Sequence, residues 1–72
     1  MARDPGRENL EIRAMWTGKG WRVDAHLIGA LQTRRVGWYS NQETALAAAK
    51  RVADAARNLD YYGFVRVMVE II

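Results

Sequence analysis

From Leu10 onward the chain alternates: Leu10, Ile12, Ala14 and Trp16 fall on one parity, and Glu11, Arg13 and Met15 fall on the other. A period of two is that of a strand with one face in a core. Thr17-Gly18-Lys19-Gly20 then breaks the run with two glycines, as a short hairpin loop does. A second alternation follows, with Trp21, Val23, Ala25 and Leu27 set against Arg22, Asp24, His26 and Ile28, and the two strands are expected to pair antiparallel. After Gly29-Ala30-Leu31-Gln32 the chain turns into a third strand, Thr33 to Tyr39, in which Gly37 is expected to mark a bulge.

Ser40 followed three residues later by Glu43 reads as a capping box, with Ser40 as N-cap, and opens a helix over 41–58. On a helical wheel Ala45, Leu46, Ala49, Val52, Ala53 and Ala56 share one side, opposite Glu43, Lys50, Asp54 and Arg57. A stripe made mostly of alanine lets the helix axis lie close to a sheet. The missing volume must then come from large residues opposite, for which Trp16, Trp21 and Tyr39 are the candidates. Beyond Tyr61-Tyr62-Gly63, Val65, Val67, Val69 and Ile71 alternate with Phe64, Arg66, Met68 and Glu70, a fourth strand over 64–72.

The order βββαβ predicts an α+β fold, a small, mostly antiparallel sheet with one helix packed across one face. The last strand is expected to lie parallel beside either the first or the third. The other face of the sheet is left uncovered, and parity places Glu11, Arg13, Met15, Arg22, Asp24, His26, Ile28, Arg66, Met68 and Glu70 on it. Residues 1–9 carry no periodicity and balance Arg3 and Arg7 against Asp4 and Glu8, so they read as a flexible leader to a single domain over 10–72.

Composition narrows the chemistry. Seventy-two residues, half of them hydrophobic, have room for a single thin core, and the absence of cysteine removes disulfides, thiolate zinc sites and thiol nucleophiles. No apolar run approaches the roughly 18 residues of a membrane span, and no hydrophobic signal region opens the chain, so a cytoplasmic protein without membrane contact is expected. The net charge of +3 is modest, yet nine of the eleven cations are arginine, the side chain suited to carboxylate and phosphate recognition. With one serine that reads as a cap and one histidine, His26, that reads as a surface residue, no nucleophile–base pair, cofactor site or metal site is expected, and the protein is read as non-enzymatic. Gly18-Lys19-Gly20 links two strands and lacks the Walker ending at a helix start. Glu11, Asp24 and Glu70 share their face with Arg13, Arg22 and Arg66, which predicts cross-strand ion pairs.

Arg13, Trp16, Lys19, Trp21, Arg22, Arg34, Arg35 and Trp38 cluster in the three-strand part, a pattern that sheet-based nucleic-acid binders use. Val36-Gly37-Trp38-Tyr39-Ser40-Asn41-Gln42-Glu43-Thr44-Ala45 resembles the last strand and helix start of plant-type AP2 DNA-binding domains, and Gly20-Trp21-Arg22-Val23-Asp24-Ala25 resembles that family's second strand. The resemblance implies that Arg13, Trp21, Arg22, Arg35 and Trp38 lie near DNA. This chain lacks the family's Arg-Gly-Val-Arg first strand and adds a fourth strand. In size and architecture, with its hairpin, third strand, Ala47–Lys50 helix segment and final strand, the chain is also similar to small phage-encoded anti-CRISPR proteins. That likeness implies docking on a nucleoprotein complex of a bacterial cell or phage-infected host, and inhibition without catalysis.

The sequence therefore ranks a protein-docking inhibitor or adaptor first and a sheet-based DNA-binding domain of AP2 or integrase-arm type second. Its contact residues are expected to be Arg13, Met15, Arg22, His26, Ile28, Arg34, Arg35, Trp38, Arg66 and Met68, with Met15, Ile28 and Met68 exposed. An uncovered last strand, apolar to its end, would be covered by such a partner or by a homodimer through a strand edge.

Overall fold

The computed structural model describes residues 8–30 and 32–71. The elements are β1 (Glu8–Trp16), β2 (Trp21–Leu27), β3 (Thr33–Tyr39), α1 (Gln42–Asn58) and β4 (Tyr62–Ile71), in the expected order βββαβ. They form one four-stranded sheet in the order β3-β2-β1-β4, with α1 across one face. β1 pairs antiparallel with β2 and parallel with β4, and β2 pairs antiparallel with β3. The last strand thus takes the place beside the first strand, and the sheet is mixed.

β1 takes an interior place beside β2, and it buries residues on both its faces. Leu10, Ile12 and Ala14 enter the core beneath the helix, while Glu11 and Met15 are buried on the opposite side. β3, with Thr33, Arg34, Arg35 and Val36 all exposed, can only be an edge. Under the helix, Trp21, Val23 and Val65 join the β1 residues against Ala45, Ala49, Ala53 and Ala56, with Trp16, Tyr39 and Val67 around them. Trp16 and Trp21 face each other at the closing pair of the hairpin with ring centroids 5.7 Å apart. Large sheet residues against a small-residue helix is the packing that the alanine stripe requires.

Two local expectations change. The helix cap is Asn41 rather than Ser40: the Thr44 N–H donates to the Asn41 side-chain oxygen at 2.8 Å, and the Thr44 hydroxyl also reaches it at 3.0 Å. Asparagine caps as well as serine, and Thr44, in register with Asn41, decides between them, leaving Glu43 in the first turn. The bulge sits between Val23 and Asp24 on the β2–β3 ladder, where Gly37 faces Val23 and Arg35 faces Asp24, so Val36 is the extra residue. Gly37 lies beside it, and a Cβ there would meet the Tyr39 ring and hydroxyl at 3.1–3.3 Å. At the β1–β2 turn Gly18 takes φ +91°, the left-handed conformation that lets the Thr17 N–H donate to the Gly20 carbonyl at 3.0 Å.

The strand also begins earlier than its hydrophobic pattern. β1 starts at Glu8, and Asn9, placed in the leader by its polarity, is buried at 3% exposure. Its backbone carbonyl accepts from the Ile28 N–H at 2.9 Å, and its side-chain oxygen accepts from the Phe64 N–H at 3.0 Å. The β1–β4 register shifts between Glu8 and Leu10, and the Asn9 side chain stands in there for the missing backbone acceptor. The remainder of the expected leader, residues 1–7, lies outside the described residues. Asn9→Ala strands the Phe64 N–H and is expected to cost about 1 kcal/mol; a thermal melt indistinguishable from that of the parent would show that the bond contributes nothing.

Candidate functional site

The uncovered face carries three rows of side chains across the sheet, fixed by strand register. Thr33, His26, Glu11 and Arg66 form the first, Arg35, Asp24, Arg13 and Met68 the second, and Trp38, Arg22, Met15 and Glu70 the third. Opposite charges meet within and between rows. Arg13 and Arg66 both donate to the Glu11 carboxylate, Arg66 through Nε at 2.8 Å, and Arg22 Nε donates to Asp24 at 3.0 Å. The Arg66–Glu11 pair crosses strands as the alternation predicts, whereas Arg13–Glu11 and Arg22–Asp24 join residues two apart along one strand.

Depth separates Glu11 and Asp24 from the arginines beside them. Glu11 is 3% exposed and Asp24 6%, whereas the Arg13, Arg22 and Arg66 side chains retain 32%, 29% and 48% of their accessible surface. The carboxylates lie at the level of the sheet and the guanidiniums spread above them. Burial works to raise the Glu11 pKa, but the hydrogen bonds and charges of Arg13 and Arg66 outweigh it, holding the carboxyl below its ordinary value and ionised. Glu11 and Asp24 thereby serve as fixed anchors that limit the freedom of long side chains.

Arginine and aromatic groups alternate at the β3 end of the face. Trp38 is half exposed, with the Arg35 guanidinium 5.5 Å and that of Arg22 5.8 Å from its ring. Beside it Arg13, Arg22, Arg35, Asp24, Thr33 and Met15 line an open depression of about 300 Å³. His26 completes that end: its Nδ1 lies 3.1 Å from the Thr33 hydroxyl and 3.3 Å from the Gln32 carbonyl. At the other edge Arg66 lies 5.7 Å from the Phe64 ring.

Of the ten expected contact residues, Arg13, Met15, Arg22, His26, Arg35, Trp38, Arg66 and Met68 do share the open face. Two do not belong to that array. Arg34 faces Ala25 and, with Leu10, Leu27 and Tyr62, lines a separate cavity of about 550 Å³ on the helix side. Ile28 lies in the turn beyond β2, half-buried, with its N–H on Asn9. The three apolar residues expected to be exposed are withdrawn: Met15 is buried, with its sulfur 3.8 Å from Arg22, while Met68 and Ile28 are half-buried. Trp21, which the AP2 resemblance implies near DNA, is buried beneath the helix. Missing from the expected set were Thr33, whose parity is hidden by the bulge, and the anchoring role of Glu11 and Asp24.

No family model, curated protein or solved structure matches this chain. Among the described residues no three His, Asp or Glu side chains gather as metal ligands would, and no helix is long and apolar enough to cross a membrane.

Proposed function

We propose that this protein is a non-catalytic binding module whose open sheet face engages nucleic acid, with Arg13, Arg22 and Arg35 contacting phosphates and Trp38 stacking on a base or sugar. The observation that carries this reading is the depth of Glu11 and Asp24, buried beneath the partly exposed guanidiniums of Arg13 and Arg22, with Arg22 and Arg35 beside an exposed indole. A face of mixed formal charge therefore offers donors and a positive field to a phosphate backbone. The guanidinium is suited to this because it presents its remaining N–H groups outward while one edge is held by a carboxylate. Burial of Met15 and half-burial of Met68 remove most of the apolar surface that favoured docking on a protein.

Binding to a labelled duplex of random sequence, and to the corresponding single strand, measured at two salt concentrations, tests the assignment. Affinity is expected to fall steeply with salt, with a log–log slope of about −3 on the duplex for roughly three phosphate contacts. Arg35→Ala should weaken binding to all sequences and flatten the slope by about 1. Trp38→Ala should cost about 1–3 kcal/mol on the single strand if stacking contributes. No binding to either strand form at low salt would overturn the proposal and return the face to the protein-docking reading.

A further inference from the structure

We infer that a second copy of this chain pairs antiparallel along the free edge of β4, with the two-fold axis at Met68, to give one continuous sheet across two molecules. β4 is the outer strand and has a neighbour on one side only. Two side-chain contacts show which of its backbone groups face outward. The Phe64 N–H points toward β1, where Asn9 accepts it, and the Val65 carbonyl receives the Arg57 guanidinium at 2.8 Å. Backbone groups of successive strand residues point to opposite sides, so Arg66, Met68 and Glu70 bond toward β1. Val67, Val69 and Ile71 then present their N–H and C=O groups to the open edge.

The sequence of this edge complements itself when read backward. Centring the pair on Met68 sets Val67 against Val69 of the second copy, and Arg66 against its Glu70, with the reciprocal pairs on the other side of the axis. Val67 and Val69 carry the outward backbone groups and become the hydrogen-bonded pairs. Met68 with Met68, and Arg66 with Glu70, become the non-hydrogen-bonded pairs, whose side chains come closest. Centring on Val67 would instead set Arg66 against Met68, and centring on Val69 would set Glu70 against Met68; each leaves the charges unmatched. Arg66 holds one Glu11 oxygen through Nε and Nη2, which leaves Nη1 for a second carboxylate.

The apolar side chains support the same axis. Val69 is 42% and Ile71 74% exposed, on the helix side of the sheet, where Val67 and Val65 of the second copy would cover them. Arg57 on the Val65 carbonyl guards the other end of the edge and limits the new ladder to the Val67 and Val69 pairs. Because opposed residues of an antiparallel pair share a face, the two open faces would lie side by side. The pairing does not depend on nucleic-acid binding, and its test reads mass and cross-linking alone.

The chain has no cysteine, so single substitutions report position directly. Met68→Cys places a thiol against its own symmetry mate within disulfide range and, under mild oxidation, is expected to cross-link roughly tenfold or more faster than Glu70→Cys, whose thiols are displaced along the strand. Light scattering should show the 8.2 kDa chain shifting to twice that mass as concentration rises. Val69→Pro, which removes an N–H that no internal ladder uses, and Glu70→Arg, which sets arginine against Arg66, should both abolish the shift. Circular dichroism confirms that each variant is folded. A monomer at all concentrations, equal cross-linking at positions 68 and 70, or a dimer indifferent to both edge substitutions in folded protein would overturn the inference.

Discussion

Ala53→Leu is expected to destabilise the protein by about 1–3 kcal/mol, whereas Ala47→Leu should leave its stability essentially unchanged. Ala53 has no exposed surface and lies in the core where α1 meets the sheet, while Ala47 is exposed one face away on the same helix. Both substitutions keep a strong helix former in the helix interior, so helix propensity cancels between them. The difference is packing: the alanine stripe sets the distance between helix and sheet, and Trp21, Val23 and Ile12 already fill the space beneath. In a domain of this size a loss of 1 kcal/mol lowers the melting temperature by about 4–8 °C. Thermal melts of the two variants decide the matter, and equal melting temperatures would show that the helix does not pack through the face assigned to it.

Glu11→Gln is expected to cost about 1–2 kcal/mol at neutral pH. The amide oxygen can still accept from one arginine, but its NH2 group turns a donor toward the other, beneath a sheet face with little room to rearrange. Solvent around the half-exposed Arg66 keeps the loss below that of a fully buried ion pair. The pH dependence identifies the cause. Because the folded-state pKa of Glu11 lies below its unfolded value, its ionisation stabilises the fold above the ordinary glutamate range of about 4.3 and ceases to do so as pH falls through the lowered value. The melting-temperature gap between parent and Glu11→Gln should therefore be widest near neutrality and should narrow below about pH 4. A gap of constant width would assign the loss to shape rather than charge.

The element order and the two faces of the sheet could be read from alternation alone, because Leu10, Ile12, Ala14, Val23, Val65 and Val67 obey the period of two without interruption. The side on which β4 docks could not be read from β4, whose pattern suits either neighbour. It was implicit in β3, whose run of Thr33, Arg34 and Arg35 is too polar for a central place. Asn9 was hidden because polarity at a strand end reads as loop, and only the register shift with β4 turns its side chain into a backbone substitute. The open face was correctly populated for the most part, but its relief was not visible in the sequence. Glu11 is sunk by its position between Arg13 on its own strand and Arg66 on the next, a relation between residues 55 positions apart. Arg34 and Arg35 looked equivalent, and one bulge residue, Val36, aligns Arg35 with the face and leaves Arg34 on the opposite one.

The interior place of β1 bears on how the sheet closes. β1 has one partner close in sequence, β2, across a tight hairpin, but its other edge pairs with β4 from the far end of the described residues. Until β4 pairs, the Leu10–Trp16 edge stands open, Glu11 has Arg13 without Arg66, and Asn9 has no Phe64 N–H to receive. Contacts of such sequence separation form late and slow the closing of a sheet. A meander with a helix and a bare apolar edge is also a species that aggregates. Closure of the sheet therefore depends on contacts between residues 55 positions apart, Glu11 with Arg66 and Asn9 with Phe64.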